Sequence, residues 1–340
     1  MTSSRQDPGI ARVQGVYQLL ALDMDGTLLN SDKIITPDVH EAIRVYMRRG
    51  GRVTIASGRF PASVWLHARA AEMNAPLIAL NGAVILDEAT GELKSGAPLP
   101  PEHVRELLRF ADEHGAYIQL YGYNKLYVRE LNETNARWPL ANVVVSPGKE
   151  LNEQNYAEQL GMIEVVAVGD LQRFVSGSFL PAPPIYKATI IGPSPELIRE
   201  WMGQLGGGSE VNSKPLASPY TAKPSQELPQ PEEAQRAALL AKPQAKPAFT
   251  LTRTGRHRFD VNAYGVSKRS ALESLCRELH IAPLEVAAVG DYDNDADMLA
   301  WAGLGVAMGN AEPHIKRLAK AVTSSNEEDG VARVIHNFLL

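Results

Sequence analysis

Cysteine is nearly absent from this chain. The 340 residues hold one, Cys276, which excludes an intramolecular disulfide framework and a multi-cysteine zinc site. No uncharged apolar run reaches the length of about 18 residues that a membrane-spanning helix needs. Positive charge is not in excess: Lys plus Arg is 34, Asp plus Glu is 39, and the net charge is −5. That balance excludes an overall basic footprint for nucleic acid, though not a local patch such as Arg253, Arg256, His257 and Arg258. No GxxxxGK[ST] phosphate loop, GxSxG elbow or HExxH pair occurs, nor a GxGxxG after the first apolar run. The eight His are scattered without ligand spacing. Residues 1–16 carry Arg5, Asp7 and Arg12 and lack the apolar stretch of a signal peptide, so a reducing, cytoplasmic setting is expected.

What is present is ordinary for a globular protein: 44% hydrophobic and 21% charged residues, in a length that suggests about two domains. Tyr17–Leu22 is a short apolar run, the pattern of a strand buried on both faces. A helix is expected over Pro37–Arg49, which opens on proline, places Val39, Ile43, Tyr46 and Met47 on one face and is stopped by Gly50 and Gly51. Arg52–Ala56 reads as a second strand, Pro61–Met73 as a second helix and Leu77–Leu80 as a third strand. Such alternation predicts a parallel sheet with helices on both faces. It resumes late: helix Ser267–His280, strand Val286–Gly290, helix Asp293–Trp301, strand Leu304–Met308, then helices Pro313–Lys320 and Gly330–Leu340.

Between these halves the pattern changes. A helix is expected over Glu102–Glu113, with strands at Tyr117–Tyr121, Lys125–Val128, Ile163–Val168 and Tyr186–Ile191. Residues 98–255 are therefore read as an inserted α/β domain, and the first domain as discontinuous, 17–97 with 256–340, after an extension of residues 1–16. Within the insert, Gly206–Ala248 begins Gly-Gly-Gly and holds seven prolines, with Tyr220 its only aromatic. Too little apolar surface is available there to offset ordering, so a flexible loop is expected, with one helix at Pro231–Lys242.

Four polar sites follow expected strands, where open parallel sheets bind ligands. Asp23-Met24-Asp25-Gly26-Thr27-Leu28 offers two carboxylates one residue apart, which suits a metal, or a nucleophile beside an acid/base. Taken alone, it is equally a turn with Asp caps. Ser57-Gly58-Arg59 offers a hydroxyl and free amides at a loop-to-helix junction, where an anion can bind; alone it is a common turn. Lys268 stands in the first turn of a helix, against the dipole, which asks for nearby negative charge or else marks a solvated lysine. Gly290-Asp291-Tyr292-Asp293-Asn294-Asp295-Ala296-Asp297 looks like a calcium loop, but Ala296 and Ala302 stand where Gly and Glu would be needed. Asp293 and Asp297 are taken as solvated capping residues, and Cys276 as a core residue of its helix.

In combination, DMDGTL, SGR, the Lys of GVSK and GDYDND closely resemble the four motifs of the haloacid dehalogenase-like hydrolases. Asn81-Gly82-Ala83, Ala302–Asn310 and Asn326–Val331 resemble the Cof-type subfamily (subclass IIB). The likeness covers both core segments; the insert matches only loosely, and the proline-rich loop and RTGRHRFDVN depart from the pattern. The resemblance implies a doubly wound, Rossmann-like parallel sheet core with an inserted α/β cap domain. It implies a phosphatase of small phosphorylated metabolites, sugar phosphates first, working through an aspartyl-phosphate. Asp23 would be the nucleophile and Asp25 the acid/base. Mg²⁺ would be held by Asp23, the backbone carbonyl of Asp25, and Asp291. The Met24 amide, Ser57, Gly58, Lys268 and Asn294 would contact the phosphoryl oxygens, with Asp295 orienting Lys268. A monomer or homodimer is expected, with no nucleic-acid or membrane partner. A phosphomutase with the same intermediate and a non-catalytic sugar-phosphate scaffold are the alternatives.

Overall fold

Four consecutive residues without solvent contact, Leu19–Leu22, make β1, an interior strand of the first sheet. The structure, a computed structural model, describes residues 17–136, 138, 161–177, 182–206 and 247–340. The extension 1–16, most of Gly206–Ala248 and the helix expected at Pro231–Lys242 lie outside the described residues.

After β1 the chain runs through helix Pro37–Arg48 into β2, Arg52–Ile55. Thr36 caps that helix by accepting from the Val39 amide, and Val39, Ala42, Ile43 and Tyr46 are its buried face. Helix Pro61–Ala70 then leads to β3, Leu77–Ala79. Here the sequence reading needs correction. β3 does not extend the parallel sheet; it touches the end of β2 through one bridge, Ala56 to Ile78, and instead opens an antiparallel sheet with β4, Val84–Leu86, and β5, Leu93–Gly96.

The inserted unit follows. Helix Pro101–His114 leads to β6, Tyr117–Tyr121, and β7, Lys125–Val128, then β8, Glu164–Ala167, and β9, Lys187–Ile191. β10, Phe249–Gly255, and β11, Arg258–Ala263, close it. The strand order is β10-β11-β9-β6-β7-β8. The boundary expected between 255 and 256 therefore falls inside the β10–β11 hairpin. Residues 258–263, assigned to the core from sequence, pair with β9 at Arg258–Val261 and belong to the inserted sheet. This sheet has its own core, with Leu107, Leu120, Ile190, Trp201 and Phe259 among its members.

The chain then returns to the first sheet. Helix Lys268–Leu279 precedes β12, Val286–Gly290; helix Ala296–Trp301 precedes β13, Leu304–Ala307; and Pro313–Leu318 precedes β14, Ala321–Val322. The order β14-β13-β12-β1-β2 is parallel at every pairing. Helix Pro37–Arg48 packs on Gly330–Val334, and Lys268–Leu279 on Ala296–Trp301. The fold is α/β, as expected. Because the strands run parallel, Asp23, Ser57 and Asp291 all emerge at one end of the sheet, beyond β1, β2 and β12. Among the described residues no helix is long and apolar enough to cross a membrane.

Candidate active site

The chain leaves β1 in a tight turn held by the Leu28 amide donating to the Asp23 carbonyl and the Leu29 amide to the Met24 carbonyl. Gly26 makes the turn possible. Its φ is +78°, and a Cβ there would lie 2.4 Å from Asp291 Oδ2. The two acidic loops therefore approach closely only because position 26 has no side chain.

Lys268 is the first residue of its helix, and only 1% of it is exposed. Ser267 caps the helix by accepting from the Ser270 amide, and its hydroxyl donates to Asp297. The Lys268 ammonium donates to Asp23 Oδ1 at 2.5 Å and to Asp295 Oδ1 at 2.7 Å. Asp295 Oδ2 accepts from the amides of Asp291 and Tyr292. Its two oxygens are thus committed, which makes Asp295 the residue that positions Lys268. A second close approach fixes this corner: at Gly82 (φ +99°) a Cβ would fall 2.1 Å from the Ser267 carbonyl.

Carboxylate oxygens of Asp23, Asp291 and Asp295 all lie within 4.8 Å of one another, and the group could hold a metal ion. Burial raises the Asp23 carboxyl well above its ordinary value; Asp295 adds to this and Lys268 opposes it. Burial likewise pushes Asp291 up to about 7, with Asp295 reinforcing and Lys268 opposing. For Lys268 burial acts downward, but Asp23 and Asp295 hold its ammonium above the ordinary range. One ammonium thus faces two buried carboxylates and a half-buried third, an arrangement short of positive charge. A hard divalent cation between Asp23 and Asp291 fits that donor set.

Asp25 points elsewhere. Arg59 grips it with two bonds, Nε to Oδ2 and Nη2 to Oδ1, both 2.6 Å, and Lys33 adds a third at 2.7 Å. Burial alone would raise its carboxyl, but the hydrogen bonds and charges of Arg59 and Lys33 hold it well below the usual range.

Asp23, Asp25, Ser57, Gly58, Asp291 and Asn294 line one cavity of about 400 Å³, together with residues of the inserted unit. Lys268 reaches Asp23 from beneath it. The Met24 side chain is fully buried in the core, which leaves only its backbone amide for the role expected of it. Asp293 and Asp297 are not free in solvent as expected from sequence. Asp293 accepts from Arg253 Nε at 2.6 Å and contacts His314, and Asp297 accepts from Ser267. Each is paired because its loop packs against another element rather than facing water.

Several lining residues carry no expected role. In the insert, Lys187 donates to Asp260 Oδ2 at 2.8 Å and to the Gly58 carbonyl at 3.0 Å, and lies over the Tyr121 ring. Asp260 also accepts from Asn81 Nδ2 and Thr189 Oγ1. This buried group ties the insert to the Ser57-Gly58 and Asn81-Gly82 loops. A lysine inside the apolar run YKATII and an aspartate inside RFDVN were its only sequence signals. Arg59 stood in the SGR triplet, while nothing marked Lys33.

A sequence profile of haloacid dehalogenase-like hydrolases matches residues 20–176 and 221–335, and the chain belongs to that family. The motifs after β1, β2 and β12 and at Lys268 are those of this family and of its Cof-type branch. Phosphatase YwpJ of Bacillus subtilis is 29% identical over 329 residues, covering 95% of this chain and 100% of the relative. A haloacid dehalogenase-like hydrolase structure from B. subtilis superposes with TM-score 0.68 at 25% identity, covering 94% of this chain and 99% of that one. The fold is also shared with the subclass IIB sugar phosphatase BT4131, at TM-score 0.66 and 20% identity, with 95% and 100% of the two chains covered.

Proposed function

We propose that the chain is a Mg²⁺-dependent phosphatase that hydrolyses small phosphorylated metabolites, sugar phosphates first, through an aspartyl-phosphate on Asp23. The observation that carries this reading is Asp23 itself. It is a buried carboxylate at the end of β1, with one oxygen fixed by Lys268 and an acidic partner, Asp291, beside the same cavity. Relatives named as phosphatases and the fold shared with a sugar phosphatase support it.

In this reading Asp23 attacks phosphorus, the bond to the leaving oxygen breaks, and Asp25 protonates the departing alkoxide. Asp25 then takes a proton from water, whose oxygen attacks phosphorus and releases Asp23 and inorganic phosphate. Ser57, Gly58, Asn294, Lys268 and the Met24 amide hold the phosphoryl oxygens, work that is mainly positioning and charge stabilisation. Asp23, the Asp25 carbonyl and Asp291 would hold Mg²⁺, which would supply the charge that lets an anionic nucleophile meet an anionic phosphate. Asp25 must leave Arg59 and Lys33 before it can donate a proton, because that pair keeps it ionised. The test is phosphate release from sugar phosphates, nucleotides, flavin mononucleotide, pyridoxal phosphate and an aryl phosphate. Release with Mg²⁺ that stops with a chelator supports the reading; no release from any substrate refutes it.

A further inference from the structure

We propose that Arg258 forms a second anion site in the cavity, so that the preferred leaving alcohol carries a carboxylate or a second phosphate. The proposal rests on the phosphatase reading and extends it to the other end of the substrate.

Lys33, Arg59 and Lys187 line the cavity, and each has a carboxylate partner: Asp25 for the first two, Asp260 for the third. Lys268, beneath, is held by Asp23 and Asp295. Arg258 lines the same cavity from the first position of β11 and forms no ion pair among the described residues. Asp260 offers it nothing, since its oxygens already accept from Lys187, Thr189 and Asn81.

Arg258 is half-buried, its Nε donates to the Thr254 carbonyl at 3.2 Å, and its guanidinium lies 5.1 Å from the Trp138 ring centroid. Those contacts fix the plane of the group. The two Nη nitrogens make no hydrogen bond among the described residues, so the fork that matches a carboxylate or phosphate is left open. Beside it, Thr254 lines the cavity, and its buried hydroxyl has no hydrogen-bond partner among the described residues. Buried polar groups are rarely left so, and an oxyanion would satisfy it.

Burial lowers the Lys187 ammonium, Asp260 opposes this, and the nearby Arg258 charge adds to the lowering. Among the residues that the insert contributes to the cavity, two cations, Lys187 and Arg258, thus stand with one carboxylate, Asp260. A second anion on the substrate relieves that excess, whereas a neutral hydroxyl or ring does not.

The experiment compares matched phosphomonoesters. One arm pairs a phosphoglycerate with glycerol phosphate; the other pairs a sugar bisphosphate with its monophosphate. The wild type is expected to prefer the doubly anionic member in at least one arm by about tenfold or more in kcat/KM, and the arm identifies carboxylate or phosphate. Arg258→Gln should reduce that preference by about 10–100-fold, chiefly through KM, and Arg258→Lys should keep part of it. Equal wild-type rates within both pairs, or an equal loss on both members in Arg258→Gln, overturn the proposal. If Arg258→Gln does not fold, the wild-type preference decides. If the wild type releases no phosphate even from an aryl phosphate, it is the phosphatase reading that fails. The same pairs are then titrated calorimetrically: tighter binding of the doubly anionic member supports the site, and equal affinity refutes it.

Discussion

Replacing Lys268 with methionine removes the ammonium that Asp23 and Asp295 share while nearly conserving its bulk. The three carboxylates of Asp23, Asp291 and Asp295, within 4.8 Å of one another, would then face each other without it. Removing one partner of a buried ion pair costs about 3–5 kcal/mol. At about 2–4 °C per kcal/mol for a unit of this size, the melting temperature should fall by about 6–20 °C. The loss should depend on pH, and its sign follows from the carboxyls. Asp291 lies at about 7 in the fold against an ordinary 3.8. A carboxyl raised by folding binds its proton more tightly folded than unfolded. The stability it contributes is therefore full below about pH 4 and lost as pH rises through about 7. The gap between wild type and Lys268→Met should accordingly be wider at pH 8 than at pH 5. Thermal unfolding of both proteins in chelator, at both pH values, measures it. A difference of less than about 2 °C at pH 8, or a larger gap at pH 5, would refute the charge argument.

Asp25→Ala should lower kcat by about 10²–10⁴-fold, the usual worth of general acid–base assistance, and a near-wild-type rate would contradict the role given to it. Gly26→Ala should destabilise the chain by about 1–3 kcal/mol and weaken metal binding, because its Cβ would meet Asp291 Oδ2 at 2.4 Å in a left-handed conformation; an unchanged melting temperature and metal affinity would argue against this packing. Mg²⁺ should raise the melting temperature more at pH 8 than at pH 5.5, since protons compete for Asp23 and Asp291, and an equal rise at both would place the ion elsewhere.

Local signals carried much of the fold. Tyr117–Tyr121, Lys125–Val128 and Val286–Gly290 have the bounds read from sequence, because each is a short run set off by turn residues. Helix Lys268–Leu279 follows from its capping serine and apolar stripe. The β10–β11 hairpin was cut at its turn because the partner of β11 is β9, some seventy residues earlier, and no local pattern reports that pairing. Asp293–Trp301, read as one helix, is a 3₁₀ turn at Asp293–Asp295 followed by Ala296–Trp301; the Asp295 side chain bonds back to the Asp291 and Tyr292 amides and tightens the start. The acidic loops were legible because each follows a strand of the parallel sheet, and Lys268 because it stands in the first turn of its helix, against the dipole. Lys187, Asp260 and Arg59 were not, since their meaning lies in partners supplied by another unit or another loop.

The central claim is that Asp23 becomes covalently phosphorylated, and rapid acid quench during turnover of a ³²P-labelled phosphomonoester tests it most directly. Label should appear on the peptide containing Asp23, be released by hydroxylamine, and be absent from Asp23→Asn, which should not turn over. Sustained turnover by purified Asp23→Asn, or label on a peptide lacking Asp23, would contradict the account.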